Sequence, residues 1–98
     1  MDFKIIWSEA VISDLREICS YIGADNLDAA LRLGEGILDH ARILASFPFI
    51  GPTHPRGVNG SLREIVFRPY RIFSDVNEES RAVEILHVWH GAREAPRF

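Results

Sequence analysis

Apolar positions follow two different periods along this chain, and the change of period divides it. Val11, Leu15, Ile18 and Ile22 recur at helical spacing, with Ser13, Arg16, Glu17 and Ser20 turned elsewhere. A second stripe of the same kind, Ala30, Leu33, Ile37, Ala41 and Leu44, follows it. Beyond residue 61 the pattern changes to short runs of β-branched, aromatic and aliphatic residues: Leu62 to Phe67, Tyr70 to Val76 and Val83 to Trp89. Arg68-Pro69 and Asn77-Glu78-Glu79-Ser80 break these runs, so they read as strands of a meander joined by hairpins. Phe3 to Trp7 is a further short β-rich run. Ser8 then caps the first helix, and Glu9 in its first turn complements the helix dipole. The spacing predicts strands at 3–7, 62–67, 70–76 and 83–89 and helices at 8–23 and 27–46, with Asp25 or Asn26 capping the second helix. This is an α+β domain of two layers: an N-terminal strand, a helical hairpin and a three-stranded antiparallel meander. The hairpin packs on one sheet face and the other face stays partly open.

Alternation sorts the meander into faces, because successive strand residues point to opposite sides. In the second meander strand Tyr70, Ile72 and Val76 oppose Arg71, Phe73 and Asp75. In the third, Val83, Ile85, His87 and Trp89 oppose Glu84, Leu86, Val88 and His90. Phe47-Pro48-Phe49-Ile50-Gly51-Pro52 ends the helical part and is expected to plug the bottom of the core with its aromatic rings. A loop from Thr53 to Gly60, which includes Asn59, leads into the sheet. Gly34-Glu35-Gly36 has no third glycine and no preceding strand for a phosphate loop. These glycines are expected to let the helices approach closely.

Ninety-eight residues without repeats or low-complexity tracts make one domain, 1–98. The net charge of −3 hides an asymmetry: residues 1–53 carry four basic and eight acidic side chains, and residues 54–98 carry seven and six. A dedicated nucleic-acid binder is basic overall, so any contact with a polyanion must come from a local patch. Lys4 is the sole lysine; the arginines Arg63, Arg68, Arg71, Arg81, Arg93 and Arg97 gather in the strand-forming half, where planar forks suit anion recognition. Cys19, the sole cysteine, excludes a disulfide within the chain and reads as a small core hydrophobe. The start lacks the apolar run of a signal peptide, and no stretch approaches the roughly 20 apolar residues of a membrane span, which implies a soluble, cytoplasmic protein. His87 and His90 point to opposite strand faces, and His40 and His54 have no partner at ligand spacing. No metal or other cofactor is therefore expected. Trp7 and Trp89 read as core or near-core anchors.

Trp7-Ser8-Glu9-Ala10 with Asp14-Leu15 and Ile18, Tyr21-Ile22, Ala29-Ala30, Leu44, Phe47-Pro48, Gly51, Tyr70-Arg71-Ile72 and His90-Gly91-Ala92-Arg93 together resemble the ParE branch of the RelE/ParE toxin superfamily. The resemblance covers nearly the whole chain in order. It implies the toxin of a type II toxin–antitoxin pair, often called a plasmid stabilisation protein, with the first strand beside the last and a cognate antitoxin as partner. ParE-like members are gyrase inhibitors; RelE-like members are ribosome-dependent endonucleases that cut mRNA.

The ParE-like reading names DNA gyrase as target. The alternative is a metal-independent endoribonuclease (an mRNA interferase) acting with the ribosome on mRNA, and a non-toxic interaction domain on the same fold is a third reading. In the nuclease alternative the resemblance places Arg71, His90, Arg93 and Arg63 as catalytic, since attack by a ribose 2′-OH needs a base, an acid and cations for the developing charge. Departures count against it: Ile65 stands near a lysine position of the nucleases, Glu64 adds negative charge, and the chain ends in Phe98 in place of a tyrosine. Arg71 reads equally as the partner of a surface ion pair, and His90 as an edge cap.

Overall fold

Every strand and helix expected from the periodicities forms, in the expected order. The computed structural model describes residues 2–57 and 60–92. Its elements are β1 (Lys4–Trp7), α1 (Glu9–Gly23), α2 (Leu27–Ala41), α3 (Ile43–Ser46), β2 (Leu62–Phe67), β3 (Tyr70–Asn77) and β4 (Ala82–His90). Asn59, Arg93, Arg97 and Phe98 lie outside the described residues. Ser8 caps α1 by accepting the Val11 N–H at 3.1 Å, and Asn26, not Asp25, caps α2 by accepting that of Ala29 at 3.0 Å.

The sheet order is β1-β4-β3-β2. β1 runs parallel to β4, with Lys4 opposite Ala82 and Trp7 opposite Ile85. The other pairs are antiparallel, so the sheet is mixed and the first strand lies beside the last. The apolar stripes of the helices meet one face of it. Val11, Ile37, Ala41 and Leu44 interlock with Ile65, Ile72, Val76, Val83, Ile85 and Val88, and Ile5, Trp7, Leu15, Ile18 and Leu33 complete the layer. Residues of this core such as Ile37, Ile72 and Ile85 are wholly out of solvent, each stabilising by about 1.5–3 kcal/mol through burial of its side chain.

Four local expectations are corrected. The helix foreseen over 27–46 breaks at Arg42, whose guanidinium clips Asp39 one turn back at 2.7 Å and whose N–H bonds to Asp39 O, a tighter turn than the α-helix makes. Gly36 admits the sheet, not the other helix: a Cβ there would lie 2.6 Å from the Phe67 ring. The rings of Phe47 and Phe49 do not plug the core and are exposed, at 60% and 38%. The fourth correction concerns β4. Phe73 pairs with His87 and Ser74 with Ile85, so Leu86 is an extra residue, a β-bulge. Beyond it the alternation shifts by one. Val83, Ile85, Val88 and His90 share the faces of their β3 partners Val76, Ser74, Ile72 and Tyr70 on the helix side, while His87 and Trp89 turn to the open side with Phe73 and Arg71.

Candidate functional site

β1 ends at Trp7, and beyond that point one edge of β4 has no strand beside it among the described residues. A bare edge exposes backbone donors and acceptors that must find partners, and α1 supplies them. The Ser8 N–H donates to Ile85 O at 3.1 Å and its hydroxyl donates to Leu86 O at 3.1 Å. A regular strand sends consecutive carbonyls to opposite edges, so this double grip depends on the bulge. Two turns along α1, one carboxylate oxygen of Asp14 accepts the Val88 N–H at 3.1 Å and meets His87 Nδ1 at 2.8 Å. Both side chains are mostly buried, at 16% and 23% exposure for Asp14 and His87. The carboxylate makes Nδ1 the donor atom of the imidazole and holds the ring in place, tilted against Trp89 with centroids 5.5 Å apart.

The open face carries Arg71, whose Nη1 meets Glu64 Oε1 at 3.2 Å and whose guanidinium lies 5.1 Å from the Phe73 ring centroid. Asp75 and Glu84 stand directly opposite each other on the same face, like charges that repel. Among the described residues carboxylates thus outnumber cations there, and these residues offer little attraction for a phosphate backbone.

Arg63 occupies the other side of β2, opposite Ser74. Its Nε donates to Gly60 O at 2.9 Å, and its Nη1 to Phe49 O at 2.9 Å and Gly51 O at 3.0 Å. The guanidinium therefore straps the 49–60 segment to β2. Gly51 at φ 88° permits that approach, since a Cβ there would lie 2.5 Å from Glu64 O. His90 ends β4 opposite Tyr70, with the rings edge-on at 5.7 Å, and its Nδ1 accepts the Ala92 N–H at 3.1 Å. Of the four residues foreseen for catalysis, Arg71 stands on the open face, Arg63 and His90 lie on the other face with β3 between them, and Arg93 lies outside the described residues. His87, not His90, shares the face of Arg71.

A cavity of about 310 Å³ opens where the later turns of α1 meet the adjoining ends of β3 and β4. Ile18 and Val88 give it apolar walls, Tyr21, Tyr70 and Trp89 its aromatic ones, and Asp14, Glu17 and His90 its polar groups. Burial, then the neighbouring Cys19, pushes the Tyr70 phenol above its ordinary value of 10.0. No group of His, Cys, Asp and Glu among the described residues is arranged to hold a metal ion. Neither this cavity nor the Asp14–His87 pair was foreseen. Asp14 and His87 are 73 positions apart, and an acidic residue on the polar side of an amphipathic helix carries no local signal of a distant partner.

Comparisons with known proteins bear on the family and the fold. Residues 5–95 match the model of the ParE toxin of type II toxin–antitoxin systems. No curated protein sequence matches the chain. Among solved structures, the chromosomal ParDE toxin–antitoxin system of P. aeruginosa is 18% identical, with 90% of this chain and 95% of that one covered at a TM-score of 0.74. An E. coli RelE toxin, a doubly substituted form in the free state, is 18% identical over 92% of this chain and 84% of its own, with a TM-score of 0.65. The RelBE2 toxin–antitoxin complex of Mycobacterium tuberculosis is 19% identical over 92% and 99%, with a TM-score of 0.58.

Proposed function

The chain belongs to the ParE toxin family of type II toxin–antitoxin systems, and from that premise we propose that its target is DNA gyrase. It is the toxin half of such a pair, and its partner is a cognate antitoxin. The proposal takes residues 1–98 as one toxin domain, working in the cytoplasm, where gyrase acts. No helix among the described residues is long and apolar enough to cross a membrane.

The choice of target rests on how the cations are used. Cleavage of RNA without a metal needs a base, an acid and positive charge converging within hydrogen-bond reach of one phosphate. Here Arg63 spends its donors on loop carbonyls, Arg71 meets Glu64, and His90 stands on the opposite sheet face from Arg71. The net acidic chain also lacks the charge that drives docking on ribosomal RNA.

One observation favours the alternative, a ribosome-dependent mRNA endonuclease. Asp14 orients the His87 imidazole on the face that carries Arg71, and a carboxylate-oriented histidine near a guanidinium is the pairing that general-base attack on a phosphate requires. In that reading His87 replaces His90 as the base.

The test is induction in cells with two readouts taken together. The expected result is loss of supercoiling by purified gyrase and gyrase-linked DNA breaks in the cells, with mRNA ends unchanged. Codon-positioned mRNA cuts that vanish in both His87→Ala and Arg71→Ala, with gyrase unaffected, would replace the gyrase reading with the endonuclease.

A further inference from the structure

We propose that the cavity between α1 and the ends of β3 and β4 binds a cationic side chain, an arginine by preference, carried by the cognate antitoxin. The inference rests on the antitoxin partnership and not on the identity of the target.

Among the described residues the lining joins three aromatic residues to two carboxylates and the His90 imidazole, and contains neither lysine nor arginine. Aromatic faces carry negative quadrupoles that attract cations, most strongly where water is displaced. Tyr21 presents its ring 85% exposed at the mouth, an orientation with no role in holding the core. Glu17, on the preceding turn of the same helix, makes no ion pair among the described residues. Asp14 commits one oxygen to Val88 and His87 at the cavity wall, so its charge stays fixed there. Tyr70, whose phenol carries its proton at neutral pH, brings a hydroxyl that makes no hydrogen bond among the described residues and accepts one from a bound N–H.

A guanidinium satisfies this set best. Its plane stacks on a phenol ring while its fork bonds a carboxylate such as Glu17 at two points. Charge complementarity names the source. The stretch holding the three helices is the acidic part of the chain, with four basic and eight acidic residues in 1–53, so a partner that covers α1 must answer negative charge with positive. The antitoxin is the partner whose binding must be tight.

The experiment titrates purified antitoxin into the toxin and its Glu17→Lys, Tyr21→Ala and Glu79→Lys variants, all at exposed positions, with thermal midpoints read alongside. Glu17→Lys is expected to weaken binding by about tenfold or more, as befits the loss of a charge-assisted contact. Tyr21→Ala weakens it less, and Glu79→Lys in the β3–β4 turn leaves it unchanged. In amide NMR of the free toxin, N-acetylarginine amide is expected to shift the signals of Glu17, Ile18, Tyr21 and Val88, and the citrulline analogue, isosteric but neutral, is not. Unaltered affinity in Glu17→Lys, an equal loss in Glu79→Lys, or equal shifts from both amides would overturn the proposal. Gyrase inhibition, read on the same preparations, fails or holds independently. If Glu17→Lys abolishes it while antitoxin affinity is intact, the cavity belongs to the target and not to the antitoxin.

Discussion

The two ends of β4 are built by different means. From Ala82 to Ile85 the strand lies between β1 and β3, zipped on both edges by backbone pairing, and its inward side chains are wholly buried. From His87 to His90 β3 is the one neighbouring strand among the described residues, and the other edge is held by the Asp14 side chain of α1. The first end needs only residues that pack. The second gathers two histidines, a tryptophan, a carboxylate and a cavity, because an edge held by side chains brings polar groups to a half-buried place. Candidate chemistry in this molecule sits where regular pairing stops.

The largest test of the contrast is Ile85→Ala at the zipped end. It removes a fully buried side chain and is expected to cost about 2–5 kcal/mol, seen as a lowered denaturation midpoint with amide exchange accelerated throughout the sheet. Asp14→Ala strikes the stapled end. Leaving the Val88 N–H and the His87 ring without their acceptor costs about 1–3 kcal/mol. Exchange should accelerate at Val88 while Val83 keeps its protection, and equal acceleration at both would mean that the strand is one cooperative unit. The smallest effect is alkaline. The folded phenol of Tyr70 holds its proton beyond 10.0, whereas the unfolded one releases it there. The folded state therefore binds more protons above that pH, and stability falls as pH rises through the window. Tyr70→Phe should flatten this part of the pH dependence in a denaturant series, and an unchanged slope would contradict the burial.

Much of the fold was legible because it rests on local periodicity. The stripes Val11-Leu15-Ile18 and Leu33-Ile37-Ala41 became the helix faces that meet the sheet, the hairpin break at Arg68-Pro69 fell where its residues said, and the second break fell one residue later than read, between Asn77 and Ala82. The neighbour of β1 came from the family resemblance, since no pattern within a run of four residues names its partner. What escaped depends on contacts distant in sequence. The closeness of Asp14 to His87, the strap that Arg63 throws over residues 49–60, and the cavity that Tyr21 and Tyr70 both line leave no periodic trace. Arg71 was legible as the partner of an ion pair but not its carboxylate, Glu64, and Arg63 only as a cation, because a guanidinium looks the same in sequence whether it faces a carbonyl, a carboxylate or a phosphate. Simple alternation likewise put His87 and His90 on opposite faces, as they are, but gave each the wrong one, because the bulge at Leu86 precedes both.

The bulge at Leu86 can also be put as a matter of parity. A strand stores its inside and outside as odd and even positions, and a supernumerary residue inverts that coding for everything after it. Skip Leu86, and Val83, Ile85, Val88 and His90 fall into unbroken alternation on one side. A chain lacking Leu86 would therefore keep every side chain of β4 on its present face and lose only the second carbonyl that Ser8 grips. One residue of length at this spot is silent for the chemistry of both surfaces, while a one-residue insertion elsewhere in β4 would exchange them.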